Sequence, residues 1–396
     1  MNCSNDGKEL SRRDFLRSAA LAAAALGAAG GIKMSSAGAA SDPPAKTDSM
    51  ERRVLGRTGL QVSVLGLGTI KIANPAVVRT ALDKGINFFD TAECYQGGNS
   101  EVTLGKGLKG RRDEAIVATK WHTDGSTPAK ELLESLDQSL KRLDMDHVDL
   151  IQIHGADNAQ QVESDQLWEA FTEAKKAGKV RFNGLTCHGN QVEVIQAAIK
   201  TGRYDAVLPA YNALIGERVA AVVAEAKKAG IGVIAMKVLQ PAHEGKTRSS
   251  AFRGLRGNPY QQSIQWVVRD ENVSTAIVDM PTFEELSSGC TAVARAAHMA
   301  ELGEFEEAVA LMSASACHLC GACTGQCPRG VRVSDIMRYR LYHEGYGDRQ
   351  RAAELYRALP TSASAAACVS CPGCKVVCPW GVPVRGRLEQ MHGVLA

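Results

Sequence analysis

Short apolar runs alternate with longer amphipathic stretches from residue 52 to about residue 280. The runs are continuous rather than alternating, as expected for parallel strands that are buried on both faces. In chain order they read VSVLGLG, INFFDT, AIVATK, VDLIQIH, FNGLTC, AVLPAYN, GVIAMK and STAIVD. We predict one strand for each run.

The stretches between these runs have the spacing of helices with one apolar face. Clear examples are residues 128–143, 160–176, 191–200 and 217–228. Several stretches end at a glycine, which takes the left-handed conformation that terminates helices; these are Gly85, Gly178, Gly202 and Gly230. Eight such units over about 250 residues match a (β/α)8 barrel. The alternative is an open doubly wound sheet, but GLGTIKIANP lacks the glycine spacing that its phosphate turn needs.

The amino-acid composition indicates a cysteine-rich region near the C-terminus in addition to the strand–helix region. The chain has 396 residues, 45% hydrophobic and 22% charged, which is ordinary for a soluble globular protein of two or three units. The net charge of +3 favours neither nucleic acid nor an acidic partner surface. Eight of the twelve cysteines lie in two short runs near the C-terminus, which favours metal binding over disulfides.

The N-terminal segment has the pattern of a targeting signal. Arg12 and Arg13 precede Phe15 and Leu16, and an Ala/Leu stretch follows that is too short to span a bilayer comfortably. This segment resembles a twin-arginine export signal, with an Ala-rich surface helix as the alternative. The resemblance implies a signal over residues 1–39, a linker over 40–51 and export of the folded protein to the periplasm through the twin-arginine machinery.

Four polar residues lie at or just after the ends of predicted strands. Asp90 ends the second strand, Tyr95 follows it by five residues, Lys120 ends the third strand and His154 ends the fourth. The carboxyl ends of barrel strands meet at one face, so we expect these side chains to form one site. An ammonium beside a phenol is expected to lower the phenol pKa from about 10, and a carboxylate holds the ammonium in place.

This arrangement resembles the aldo-keto reductases. The likeness runs from RRVLGRTGLQVSVLGLGT to about Ala300, and implies a barrel over residues 52–300 whose opening hairpin closes the bottom. The family's catalytic tetrad falls on Asp90, Tyr95, Lys120 and His154. The implied reaction is hydride exchange between a nicotinamide and a carbonyl or alcohol carbon, with Tyr95 giving or taking the proton.

The positions that hold nicotinamide in that family are altered here. Thr186 could replace the usual serine, whereas Cys187 and Leu208 cannot form the hydrogen bonds of the usual asparagine and glutamine. Met236 stands where a tyrosine commonly stacks on the nicotinamide ring. The sequence AMK-x-L around Met236 is similar to a branch of the family that carries a ferredoxin-like tail.

The phosphate-binding positions of the eighth unit are also altered. By position, Asp279 and Glu285 replace the lysine and arginine that bind the 2′-phosphate of NADP. Two acids repel a phosphate, while a carboxylate can accept a hydrogen bond from a ribose hydroxyl. NADP is therefore expected to fit less well than NAD. Because the periplasm has no free nicotinamide pool, any NAD(P) is expected to leave the cytoplasm tightly bound to the folded protein.

The two cysteine runs have the spacing of bacterial ferredoxins. The pattern C-x2-C-x2-C-x3-C-P occurs twice, and in two-cluster ferredoxins the fourth cysteine of each run binds the other cluster. We therefore predict one [4Fe–4S] cluster on Cys317, Cys320, Cys323 and Cys378, and another on Cys368, Cys371, Cys374 and Cys327. Paired zinc knuckles are the alternative, but they need neither the third C-x2 step nor the proline.

The tail over residues 301–396 is therefore predicted to be a small α-helical ferredoxin-like domain, because residues 333–360 between the runs have helical apolar spacing. Two hypotheses follow. In the first, the protein is an exported oxidoreductase that acts on a carbonyl or alcohol and exchanges electrons with a redox partner or carrier. In the second, the barrel is catalytically silent and the chain is an electron-transfer or assembly subunit.

Overall fold

Eight parallel strands close into a barrel in the computed structural model of this chain, which describes residues 50–215, 217–294 and 299–396. Each strand pairs in parallel with the next, and the last closes on the first, so the predicted (β/α)8 barrel is confirmed. The barrel strands are β3 (Leu65–Gly68), β4 (Phe88–Asp90), β5 (Ile116–Trp121), β6 (Val148–Ile153), β7 (Val180–Cys187), β8 (Ala206–Pro209), β9 (Gly232–Ala235) and β10 (Thr275–Asp279).

An antiparallel hairpin precedes the barrel. It consists of β1 (Arg52–Val54) and β2 (Gln61–Ser63), so the run VSVLGLG is divided between the hairpin and β3 instead of forming one strand. Leu55 and Val62 are fully buried among residues that line the interior of the barrel. The turn at Gly56 packs so closely on the amino end of β9 that a Cβ atom would lie 2.2 Å from the Gly232 nitrogen. The hairpin thus covers the bottom of the barrel, as expected.

Helices surround the barrel and bury their apolar faces against its strands. They are α1 (Pro75–Asp83), α2 (Asn99–Leu108), α3 (Ala129–Leu143), α4 (Ala159–Val162), α5 (Asp165–Lys176), α6 (Gln191–Thr201), α7 (Glu217–Lys228), α8 (Gln240–Arg248), α9 (Ser250–Arg253), α10 (Pro259–Val268) and α11 (Phe283–Ala294). The helix predicted over 160–176 is interrupted, because Ser164 takes a non-helical ψ of 126° and its hydroxyl donates to the Gly125 carbonyl. The four glycines that were predicted to end helices all have positive φ.

The C-terminal tail is helical, as predicted. Its helices are α12 (Met299–Met312), α13 (Val333–Arg340), α14 (Arg349–Arg357), α15 (Ala366–Val369) and α16 (Val384–Leu395), and a π-helical turn over Leu341–Gly345 follows α13. A separate apolar core unites α13 to α16 around Ile336, Leu388 and Met391, whereas α12 packs through Phe305 and Met312 against Leu214 and Phe252. The tail therefore has its own packing, although it also contacts the barrel through the residues described below.

The predicted signal over 1–39, with Arg12 and Arg13, lies outside the described residues, as does most of the linker over 40–51. Among the residues that the structure does describe, no helix has the length and apolar character needed to cross a membrane.

Candidate active site

A buried ion pair lies at the carboxyl ends of β4 and β5. The Lys120 ammonium lies 2.5 Å from Asp90 Oδ1 and donates a second hydrogen bond of 2.6 Å to the Thr91 carbonyl. Gln152 Nε2 donates to the other carboxylate oxygen of Asp90 at 3.0 Å. Both charged side chains are only 2% exposed, so their hydrogen bonds are formed with protein groups rather than with water. These bonds hold the Lys120 ammonium and the Asp90 carboxylate in fixed positions. Burial nevertheless raises the pKa of Asp90, although Lys120 and Gln152 oppose this.

Tyr95 lies next to this pair. It begins a 3₁₀ turn over Tyr95–Gly98, and the Lys120 Nζ lies 4.7 Å from the centroid of its ring. The His154 ring meets the phenol ring edge to face, with 5.6 Å between centroids. The structure therefore brings together all four residues that the sequence placed at the strand ends.

The pKa of Tyr95 differs from the sequence-based expectation. Burial, followed by the charges of Asp90, Cys94 and Tyr342, raises this pKa well above 10 rather than lowering it. Lys120 does not offset this burial, because its ammonium donates to Asp90 and to the Thr91 carbonyl rather than to the phenol oxygen. Tyr95 accordingly holds its proton at neutral pH.

His154 is neutral in this environment. Burial lowers its pKa well below 6.5, and the charges of Lys120, His122, Arg338 and Arg351 lower it further. Its Nδ1 lies 3.5 Å from the sulfur of Cys94, an exposed free cysteine at the site. Neutral imidazole can donate one hydrogen bond and accept another, which suits the orientation of a carbonyl group.

The four positions expected to contact NAD(P) are used for other contacts. Thr186 is buried and its hydroxyl accepts a hydrogen bond of 2.8 Å from the Gly155 nitrogen. Met236 is 8% exposed and packs with Leu208 inside the barrel. The Thr186 oxygen is thus occupied as an acceptor, although its hydroxyl can still donate, and the Met236 thioether cannot donate a hydrogen bond to a nicotinamide amide.

The two acidic positions of the eighth unit are engaged as well. Asp279 Oδ1 accepts from the Lys71 nitrogen at 3.2 Å, and burial raises the pKa of this carboxyl to about 7. Glu285 caps its own helix, because its Oε2 accepts hydrogen bonds from the Thr282 nitrogen and hydroxyl. The described residues therefore do not fit a nicotinamide nucleotide bound in the usual manner of this fold.

The C-terminal tail lies across the mouth of the barrel, which the sequence did not predict. Gln191 and Gln240, the first residues of the helices that follow β7 and β9, donate to the carbonyls of Leu319 and Cys317 at 3.0 and 2.6 Å. Leu319 and Leu341 pack with Ala210, which follows β8. The tail therefore covers the carboxyl ends of the strands where functional side chains of barrels collect.

This covering also brings tail side chains to the tetrad. Tyr342 accepts a hydrogen bond of 3.2 Å from Lys237, which follows β9, and the Arg351 guanidinium lies 6.0 Å from the Tyr95 ring centroid. Arg338 adds a further positive charge near His154. Lys237 could have been predicted as a site residue, because it comes just after the end of a strand. The sequence around Tyr342 and Arg351 gave no comparable indication.

The cysteines of the two runs form two groups. All eight are free thiols, as are Cys94, Cys187 and Cys290 among the described residues. Burial, followed by the neighbouring Cys317, Cys320 and Cys378, raises the pKa of Cys323 to about 12. Burial, followed by Cys327, Cys374 and Cys371, raises the pKa of Cys368.

Each group thus contains three cysteines of one run and the fourth cysteine of the other. Free thiols in two groups of four have the donor chemistry that suits [4Fe–4S] clusters. In the described part of the chain, no three His, Cys, Asp or Glu side chains already have the geometry of a metal site, so the sulfur atoms of each group do not yet converge on one point.

His318 lies within the first run, directly after Cys317, and is 5% exposed. Its ring stacks on Trp380 with centroids 3.9 Å apart and 5° between planes, and its Nε2 lies 3.0 Å from the Ser313 hydroxyl. Because Trp380 follows the second run, this stack connects the start of the first cysteine run to the end of the second.

Comparison with known proteins agrees with the barrel. Residues 65–253 match the family model described as the aldo/keto reductase family. L-galactose dehydrogenase of Arabidopsis thaliana is 39% identical over 155 residues, which are 35% of this chain and 48% of that protein. The chain therefore spans about half the length of this curated relative.

Two solved structures share the fold. An aldo-keto reductase of Bacillus halodurans in its holo form aligns with a TM-score of 0.55 and 24% identity, covering 65% of this chain and 96% of the other. A putative aldo-keto reductase of Pseudomonas aeruginosa aligns with a TM-score of 0.50 and 26% identity, covering 63% and 99%. Residues 65–253 are thus similar to the aldo/keto reductase family, and the solved structures share the barrel fold.

Proposed function

We propose that the barrel interconverts a carbonyl compound and its alcohol, with Tyr95 as the group that exchanges the proton. The observation that supports this most directly is the buried Asp90–Lys120 pair beside Tyr95, with the His154 ring at the edge of the phenol. Burial of an ion pair costs desolvation free energy, so a buried pair with no structural need for it points to function. Titratable groups with perturbed pKa values in a barrel mouth are typical of catalytic sites.

Each member of the tetrad has a distinct part in this proposal. Tyr95 keeps its proton at neutral pH and can donate it to a carbonyl oxygen as negative charge develops there. Neutral His154 orients that oxygen by a hydrogen bond. Lys120 supplies positive charge beside the phenol, so that the phenolate left by proton transfer is stabilised, and Asp90 holds the ammonium.

We also propose that the tail binds two [4Fe–4S] clusters, one on Cys317, Cys320, Cys323 and Cys378 and one on Cys368, Cys371, Cys374 and Cys327. Reduction of a carbonyl to an alcohol takes two electrons, which two such clusters can deliver one at a time from the redox partner, and two protons, one from Tyr95 to the oxygen and one from water to the carbon. The proximity of Cys378 to Cys323 and of Cys327 to Cys368 supports this crossed assignment. No step is assigned to NAD(P), because the residues expected to hold it are otherwise engaged.

The proposal includes export of the folded protein and a redox partner outside the cytoplasm. It rests on the Arg12-Arg13 pair before Phe15-Leu16, and on the need to insert clusters before transport. Replacement of both arginines by lysine is expected to retain the precursor in the cytoplasm with its clusters. Normal export of that variant would overturn this part of the proposal.

A second candidate is an electron-transfer or assembly subunit with a silent barrel. The observation that favours it is the tail across the barrel mouth, which covers the surface where family members would receive a nucleotide. In this case the tetrad would contribute to packing alone, and its removal would leave electron transfer unchanged.

Turnover separates the two candidates. The wild-type protein, purified after export, is assayed with small carbonyl and alcohol substrates and an artificial one-electron donor or acceptor. Tyr95→Phe is expected to lower the rate by ~10²–10⁴-fold, the usual contribution of general acid–base catalysis. Tyr204→Phe is the matched control, because this buried phenol is bonded to the Val162 carbonyl. Equal rates for wild type and Tyr95→Phe would favour the silent barrel.

A further inference from the structure

Two positively charged side chains at the barrel mouth have no acidic partner. Lys237 donates to Tyr342 and stands over the rings of Tyr342 and Tyr346, at 4.6 and 5.5 Å from their centroids. Arg351 faces the Tyr95 ring, and its Nε is buried without a hydrogen-bond partner in the described structure. Within the described residues, neither Lys237 nor Arg351 forms an ion pair, in contrast to Lys120 with Asp90 and Arg338 with Asp335.

Like charges are gathered here rather than dispersed. Burial lowers the pKa of Lys237, and the charges of Arg338 and Arg351 lower it further. Burial also lowers the pKa of His188, and the charges of Arg338 and Lys237 lower it further. Such crowding of cations is unfavourable on its own and is typical of a site that receives an anion.

The acidic groups nearby do not neutralise these two cations. Asp90 is paired with Lys120, and Asp335 is bonded to Arg332 and Arg338. Asp157 also lies 3.4 Å from Arg332. Asp279 is within electrostatic reach of Lys237, but it is bonded to the Lys71 nitrogen and burial keeps its pKa near 7.

The side chains that surround this charge retain access to solvent. Tyr95, His154, His188, Lys237 and Arg351 are each partly exposed, although all five lie between the barrel mouth and the tail that covers it. Together these groups offer hydrogen-bond donors for a carbonyl oxygen and two cations for a negative charge. The tail thus supplies one of the two cations and the barrel supplies the other.

We propose that Arg351 and Lys237 bind an anionic group of the substrate, so that the barrel acts on small oxo acids or hydroxy acids. This inference rests on the proposed function and specifies the substrate class of the same site. A guanidinium binds the two oxygens of a carboxylate or phosphate through parallel hydrogen bonds, and an ammonium adds a compact charge. Because Arg351 lies close to the Tyr95 ring, the anionic group is expected one or two carbons from the reacting carbonyl.

Binding of simple anions tests this inference without turnover. The full-length, cluster-loaded protein is titrated calorimetrically with oxalate, with inorganic phosphate and with neutral oxamide. Oxalate is expected to bind once per chain, and oxamide much more weakly. Binding of phosphate in preference to oxalate would also support the anion site and would identify a phosphorylated carbonyl compound as the substrate.

Variants assign the binding to the two cations. Arg351→Gln and Lys237→Met are each expected to weaken oxalate binding at least about tenfold, since each removes one charged partner. Arg351→Lys is expected to restore part of the loss. The matched control is Arg349→Gln, an exposed arginine two residues away, which should bind oxalate like the wild type.

The outcomes are distinguishable from failure of the proposed function. If neither oxalate nor phosphate binds the wild type, or if Arg351→Gln binds them equally well, the anion site is wrong. If oxalate binds as expected while Tyr95→Phe turns over like the wild type, the anion site stands and the proposed role of Tyr95 is wrong. Unchanged iron content and thermal melting of each variant confirm that folding is intact.

Discussion

Lys237 and Tyr342 are 105 residues apart in sequence, yet the lysine ammonium donates a 3.2 Å hydrogen bond to the phenol oxygen. Lys237 follows a barrel strand and takes a left-handed φ of 58°, which is uncommon for lysine. Tyr342 belongs to the π-helical turn that follows α13. The bond therefore joins the catalytic face of the barrel to the tail, at a position where both backbones are irregular.

This contact predicts an unusual tyrosine titration. Burial alone would raise the pKa of Tyr342, but the charges of Lys237, Arg338 and Arg351 outweigh burial and lower it. We expect the ultraviolet absorbance of phenolate to show a step below the usual pKa of about 10. The step should disappear in Tyr342→Phe and move to higher pH in Lys237→Met, because the largest opposing charge is then removed.

Tyr346→Phe is the matched control for this titration. Tyr346 stacks beside Tyr342 with 6.1 Å between ring centroids, but burial raises its pKa well above 10. The low-pH step should persist in Tyr346→Phe. A titration of Tyr342→Phe that matches the wild type would contradict the assignment.

Asp279 predicts a second pH effect, on stability. Burial raises its pKa from 3.8 to about 7, so the folded protein holds a proton that the unfolded chain releases. The stabilising contribution of this proton is complete below pH 3.8 and is lost as pH rises through about 7. Between these limits the free energy of unfolding is expected to fall by about 1.4 kcal/mol as pH rises by one. In Asp279→Asn, the free energy of unfolding should lose this dependence on pH.

The control for Asp279 is an exposed acid. Asp113→Asn should leave the pH dependence of the unfolding free energy as it is in the wild type, because Asp113 is exposed. Urea unfolding at several pH values between 4 and 8 measures both variants (about the range between the unfolded and folded pKa of Asp279). Equal slopes for wild type and Asp279→Asn would show that this carboxyl is not perturbed.

Much of the barrel could be predicted because its signals are local. The continuous apolar runs are the strands, and α7 begins and ends at Glu217 and Lys228, as predicted. The glycines predicted to end helices do so, because glycine has no Cβ atom and adopts a positive φ without steric cost. The first run was misread because Val64 separates two differently paired strands, and pairing depends on partners that are distant in sequence.

The site was predicted less completely. The strand-end rule identified Asp90, Tyr95, Lys120 and His154, because the topology of a barrel brings strand ends together. It could not give the pKa of Tyr95, which depends on burial beneath the tail. Nor could it give Arg351, since a side chain from another part of the chain reaches the site only through tertiary packing.

A buried ion pair predicts how firmly the tail is attached. Arg340 of α13 is fully buried, and its Nη2 lies 2.8 Å from Glu244 of α8, which is 2% exposed. Arg340→Met takes this cation away from a buried carboxylate, which should lower the free energy of unfolding by about 3–5 kcal/mol. The double variant Arg340→Met with Glu244→Leu should recover part of the loss, because it removes the more buried carboxylate, while Glu344, which lies 3.0 Å from Arg340 in the wild type, remains.

An exposed pair in the tail provides the comparison. Arg385 and Glu389 lie 2.8 Å apart, with side chains 39% and 42% exposed, so Arg385→Met should change the free energy of unfolding by less than about 1 kcal/mol. Urea unfolding followed by circular dichroism measures all three variants. Similar losses for Arg340→Met and Arg385→Met would mean that the buried pair does not anchor the tail.

The last prediction concerns which cysteines share a cluster. The wild type is expected to contain about eight iron atoms per chain, and Cys378→Ser about four, whichever assignment holds. Pairs of substitutions separate the assignments. If Cys378 binds with the first run, Cys317→Ser added to Cys378→Ser damages the same cluster and about four iron atoms remain, whereas Cys368→Ser added to Cys378→Ser removes both clusters. Cys290→Ser, outside both runs, should retain the full iron content. The reverse result for the two double variants would assign Cys378 to its own run, and the proximity of Cys378 to Cys323 would then have no role in cluster binding.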